Sequence, residues 1–188
     1  IKHPFSSAFA HGFYALLESY FGNRELVARS AEEAIDASTR YGFPFWKGIG
    51  TVLEAWATSA DEPEKSLATM KQALGTLRQA GVQIWTSYPA ALMAELMIAR
   101  GEVDEGVALV ESVSKRAAEN DEGYFLPELL RIRANSLKAA GRGIEFELQL
   151  AALEHDSVRV AQHRHQDAIP HRATVRPPVD VEMTGVTR

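Results

Sequence analysis

The sequence predicts an all-α protein, a right-handed solenoid of about four helix–turn–helix hairpins, and three observations carry that expectation. Small residues recur at Ala15, Ala55, Ala94 and Ala134, at steps of 40, 39 and 40. Aromatic residues recur at Phe5, Phe45, Trp85 and Phe125, every 40 residues. Within each period the apolar positions fall three and four apart, the spacing of one helix face, and no stretch keeps the alternation of a half-buried strand. Independent series that share one period mark a repeat, in which each unit buries its apolar face by stacking on the next.

The elements follow in order. The first hairpin is SSAFAHGFYALLESYF and RELVARSAEEAIDAS, entered at Pro4 and turned at Gly22. The second is GTVLEAWATSA and EKSLATMKQALGTLRQA, entered at Pro44. Its turn is DEPE (61–64), with Asp61 as the expected cap and Pro63 inside the next first turn. The third is AALMAELMIAR and VDEGVALVESVSKRAA, entered at Pro89 and turned at Gly101, and the fourth opens with ELLRIRANSLKAA between Pro127 and Gly141. Proline is tolerated in a first helical turn because its missing N–H would be unpaired there anyway, and glycine fits the left-handed residue that ends a helix. The alanines are expected where paired helices cross, since a side chain larger than methyl would hold the backbones apart. A further small series, Ala34, Ala73 and Val113, keeps the same period in the second helices.

The joint RYGFPFWKG (40–48) gathers Tyr41, Phe43, Phe45 and Trp46 around one proline, and HPF (3–5), VQIW (82–85) and EGYF (122–125) stand at the equivalent places. Recurrence at every joint predicts packing between units rather than a single ligand box. Residues 1–143 are thus expected to hold the repeats. Residues 144–168, with Ile144, Phe146, Leu148, Leu150, Leu153, Val158 and Val160, are expected to form a divergent helix, and 169–188 a flexible tail.

Two-helix units with small residues at the crossing and glycine in the turn resemble tetratricopeptide repeats. In the third unit Ala94, Met97, Gly101, Gly106, Val110 and Val113 fall at that motif's small and apolar offsets, although the period is 39–40 rather than 34 and Val27 stands where a small residue is usual. HPFSSAFAHGFYALL, GFPFWKGIGTVLEAWA and PELLRIRANSLKAAG resemble, more narrowly, the C-terminal repeats of large bacterial proteins that carry adenylate/guanylate cyclase-like and NTPase domains. Related repeats follow the NTPase of some transcriptional activators. The resemblance covers roughly residues 1–142 and implies the sensing or assembly end of a cytoplasmic signalling protein, without its catalytic activities.

The remaining chemistry is sparse. The chain has 188 residues, a formal net charge of −5 and no cysteine, which removes disulfides and thiolate chemistry and gives no general basic field for nucleic acid. It does not begin with Met, from which a fragment of a longer polypeptide is expected. No apolar run approaches a membrane span. KGIGTVLEA (47–55) lacks the spacing of a phosphate loop. His155, His163, His165 and His171 cluster without the spacing of a zinc signature, and Arg131, Arg133, Lys138 and Arg142 form only a modest basic strip. The chain is therefore expected to be non-catalytic, with no cofactor, no metal, no nucleic acid and no membrane.

In two-helix solenoids the first helices line the concave side. Their polar or aromatic residues outside the packing stripe are the groove candidates: His11, Tyr14, Lys47, Thr51, Glu54, Tyr88, Glu95, Arg131 and Asn135. The expected partner is a protein or peptide with an acidic end meeting Lys47 and Arg131, a neighbouring domain of the same polypeptide, or a second copy through an exposed end hairpin. The alternative is a solenoid that senses a small ligand and regulates an attached NTPase or cyclase domain.

Overall fold

Each helix begins where the sequence punctuates it. The computed structural model describes residues 3–120 and 122–142. They form α1 (Pro4–Tyr20), α2 (Arg24–Tyr41), α3 (Pro44–Ala57), α4 (Pro63–Gln79), α5 (Ser87–Ala99), α6 (Val103–Glu119), a 3-10 turn (Gly123–Phe125) and α7 (Leu126–Ala139), with no strand among the described residues. Pro4, Pro44, Pro63 and Pro127 sit in first turns. His3 caps α1 by accepting from the Ser6 N–H, and Asn23 caps α2 by accepting from the Leu26 N–H. The expected Asp61 cap is not used: the residue that caps α4 is the next one, Glu62, and its side chain makes no capping bond. The turn glycines Gly22, Gly101 and Gly141 adopt φ of 70°, 89° and 70°, the left-handed conformation that closes a helix at little cost.

Consecutive helices pack on one another, and each odd helix also touches the next odd one: α1 with α3, α3 with α5, α5 with α7. This order is compatible with a helical repeat. Small residues mark the crossings. A Cβ added at Gly106 of α6 would stand 2.4 Å from Ile98 Cγ1 and 3.1 Å from the Ala94 carbonyl of α5, so those backbones nearly touch. Gly12 of α1 is pressed in the same way against the Trp46 ring of α3. Ala15, Ala55 and Ala94 are buried, as expected of residues at helix crossings. Ala134 of α7 is only partly covered, and the residues after Arg142 lie outside the described residues.

Arg24 ties the second hairpin to the first. Its guanidinium donates to the Trp56 carbonyl and to Ser59 Oγ, and lies 4.3 Å from the centre of the Trp56 ring. It thereby neutralises the negative end of α3 and joins the Ser59 N–H and Oγ, which also donate to the Trp56 carbonyl.

The joints differ in length. Residues 42–43 join α2 to α3, whereas 80–86 join α4 to α5, and α4 packs on α5 far less extensively than α2 does on α3. The longer joint is held from outside. Trp85 adopts φ 62°, unusual for a bulky side chain, while its N–H donates to the carboxylate of Glu122. Asn120 Nδ2 donates to the Gln83 carbonyl at 3.2 Å. Glu122 is 1% exposed, so a carboxylate is buried in order to fix this loop.

No helix among the described residues is long and apolar enough to cross a membrane. The helix expected at 144–168, the tail at 169–188 and the histidine cluster lie outside the described residues.

Candidate functional site

Helix α1 has two apolar sides. Ala8, Gly12, Ala15 and Ser19 form its buried row, and a second row, Phe5, Phe9, Phe13 and Leu17, runs beside it at steps of four. The start of α3 and the joint before α5 bring further rings to this second row. Phe5 meets Phe43 at 5.4 Å between centres, Phe9 meets Trp46 at 5.3 Å, and Phe13 meets Trp85 edge-on at 4.5 Å. Trp46 and Trp85 lie 6.0 Å apart. The series continues through Tyr124 and Phe125 to Tyr88, which stacks on Tyr20 at 4.5 Å. Tilted and edge-on pairs of this kind add about 0.5–1.5 kcal/mol each beyond their buried area.

The rings pack the joints as the sequence predicts, but they do not close. At the N-terminal ends of α1 and α3 they leave a cleft of about 430 Å³ lined by Phe5, Phe9, Phe43, Phe45, Trp46 and Trp85, with Ile84 at its edge. Phe5, Phe9 and Ile84 remain 45%, 42% and 55% exposed. Contiguous exposed apolar surface of this kind is where soluble proteins bind partners.

Beside the Tyr20–Tyr88 stack lies a polar cluster that joins α1, α5 and α7. Ser19 Oγ donates to the Leu16 carbonyl at 2.6 Å, so the Tyr88 hydroxyl, 3.1 Å away, donates to Ser19. Burial raises both tyrosine phenols well above their ordinary range. Arg131 grips Glu128 in a bidentate pair and reaches Glu95 at 3.1 Å. Those hydrogen bonds, Glu128 first, hold the guanidinium firmly protonated. Burial raises the Glu95 carboxyl, and Arg131 opposes the rise. The Tyr88–Ser19 chain ends on a backbone carbonyl rather than on a base, so it is suited to fastening helices, not to activating a nucleophile.

The structure divides the nine candidates. Tyr88, Glu95 and Arg131 come together, with Asn135 one turn beyond Arg131 on α7. Tyr88 is fully buried and therefore fastens the array rather than lining a groove. Arg131 is already neutralised by two carboxylates, which removes the reason for an acidic partner to seek it. His11 is partly exposed on α1, and Tyr14 is exposed near Glu18 and near Arg29 of α2. Lys47, Thr51 and Glu54 share a different face of α3. Thr51 donates to the Lys47 carbonyl, and Glu54, its carboxyl raised by burial and then by Glu32 and Asp36 of α2, lines a hollow with Lys65 and Ser66 of α4. A helix flanked in this way has two accessible sides, and polarity alone does not tell them apart. Phe9, Ile84, Tyr20 and Glu128 were not among the candidates. The row at 5, 9, 13 and 17 was the available signal for the first.

Comparison with protein-family models, with curated proteins and with solved structures finds no match.

Proposed function

We propose that the chain is a non-catalytic α-solenoid of four tetratricopeptide-like hairpins whose aromatic cleft takes up a peptide segment. The segment belongs to a protein partner or to a neighbouring domain of the same polypeptide. The setting implied by the resemblance of the repeats is a cytoplasmic bacterial signalling protein associated with a cyclase or NTPase. The observation that carries the reading is the cleft itself: six rings and Ile84 at the ends of α1 and α3, with Phe5, Phe9 and Ile84 about half-exposed. Small-molecule sites place a few polar groups among apolar ones to fix orientation, and this lining offers only apolar side chains. Apolar anchors spaced along a helix or extended segment fit such a lining, with the rings as the main source of affinity. The partner expected here is thus defined by its apolar side chains rather than by an acidic end.

Selection from a displayed peptide library tests this. Enriched peptides should carry spaced aliphatic or aromatic anchors, and their affinity should drop at least tenfold in Phe9→Glu/Ile84→Glu, a variant that loses the ring contacts of Phe9 and some stability with them but keeps its helical signal at the assay temperature. Enrichment of nothing, or peptides that bind the double variant equally well, would defeat the reading.

A further inference from the structure

The long joint between α4 and α5 has a second consequence. Because 80–86 hold these helices apart, a cavity of about 460 Å³ opens between α4 and α6, floored by α5 and closed at one end by Val82 and Gln83 of the joint. Its volume lies in the range of about 300–1,000 Å³ usual for small-molecule sites. Unlike the aromatic cleft, it is mixed in chemistry. Leu74, Met93 and Leu109 give it apolar walls, and Lys71, Arg78 and Arg116 bring three cations to it.

The charges are not equally engaged. Lys71 reaches Glu102 at 3.8 Å, and Glu119, the carboxylate of the lining, reaches Lys115 at 3.9 Å. Arg78 and Arg116 make no ion pair among the described residues. Lys71, Leu74 and Arg78 lie three and four apart on α4, so they share one face, and Leu109 and Arg116 share the facing side of α6. Two guanidiniums therefore approach one cavity of mixed lining from opposite walls, on a chain whose net charge is −5. A guanidinium offers a planar fork of donors matched to carboxylate and phosphate oxygens.

We propose that this cavity binds a small organic anion, a carboxylate or phosphate head on a short apolar body. The head lies between Arg78 and Arg116 and the body against Leu74, Met93 and Leu109. The two head groups share this chemistry, and the experiment distinguishes them. The site is independent of the peptide cleft, although Val82 and Gln83 wall the cavity while Ile84 and Trp85 of the same joint border the cleft.

Calorimetric titration with octanoate, octyl phosphate and octanol tests it. One saturable site is expected for at least one anion, with octanol at least tenfold weaker, and the preferred anion identifies the head group. Arg78→Glu/Arg116→Glu should weaken the anion at least tenfold, and Arg78→Gln/Arg116→Gln carries the same comparison if the charge reversal impairs folding. Phe9→Glu should leave anion binding unchanged. Equal binding of octanol, no saturable uptake of either anion up to millimolar concentration, anion binding unaffected by removal of both guanidiniums, or its loss in Phe9→Glu would each overturn the proposal.

Discussion

At the scale of single residues, environment decides what a substitution does. Gly106 and Gly75 are both helical glycines, yet alanine should act oppositely at each. At Gly106 the new methyl would meet Ile98 Cγ1 at 2.4 Å and the Ala94 carbonyl at 3.1 Å, and the carbonyl cannot swing aside. Gly106→Ala should cost about 1–3 kcal/mol. At Gly75 a Cβ meets nothing within 4 Å, so Gly75→Ala should gain about 0.5–1 kcal/mol from helix propensity. Thermal melts of the pair check this, and a stabilising Gly106→Ala would contradict the close crossing of α5 and α6. Arg131 makes a second case. Burial raises the Glu95 carboxyl above its ordinary 4.5, so the folded state holds that proton more tightly than the unfolded one. Ionised Glu95 therefore subtracts stability as pH rises through its raised value, and this loss disappears below about 4.5. Arg131→Met removes the opposing charge. Its melt should show a deficit of about 1–2 kcal/mol at pH 7.5, between exposed and buried pairs, and a smaller one at pH 4.5. Equal deficits at the two pH values would mean that Glu95 does not feel Arg131.

At the scale of elements, the helices were legible because punctuation and periodicity agree. Proline at the entries and glycine at the turns give both boundaries of α1 and α7, and the start of α3, nearly to the residue. Ala94, on one side of the crossing, could be read from the small-residue series, whereas Gly106 on the other was marked only by the resemblance of the third unit to a tetratricopeptide repeat. The sides of the helices were harder to assign. On α1 the apolar residues cover two rows, and the exposed Phe9 lies in the second of them, so a search for polar or aromatic residues outside a packing stripe passes over it. On α3 the polar residues Lys47, Thr51 and Glu54 do miss the stripe, but Glu54 stands beside α2 and α4 rather than the odd helices. The joint at 80–86 was legible as a break and not as a fixed structure. The contact of Glu122 with Trp85 spans 37 residues of sequence, and no local pattern announces it.

At the scale of the molecule, the weak contact of α4 with α5 poses a question of cohesion. Where helices pack mainly on their neighbours in sequence, local openings fall at the thinnest contact, so a thin interface invites the molecule to open there. What bridges it is the ring series on the odd helices. Tyr88 occupies the centre of that bridge: it stacks on Tyr20 of α1, meets Phe125 at the entry to α7, donates to Ser19, and is fully buried. Tyr88→Ala should cost about 3–5 kcal/mol, as for other large buried aromatics, and the loss should be uneven. Amide exchange in α5, α6 and α7 should become faster than in α1, α2 and α3, because the first two hairpins retain the Arg24 clamp and the broad packing of α2 on α3. Tyr88→Phe keeps both ring contacts and loses only the hydroxyl, so it should cost about 0.5–1.5 kcal/mol and leave the exchange pattern as in the parent. If Tyr88→Ala instead lowers protection evenly across all the described helices, then the α4–α5 junction is no weaker than its neighbours, and the rings at the joints serve cohesion everywhere rather than at this one place.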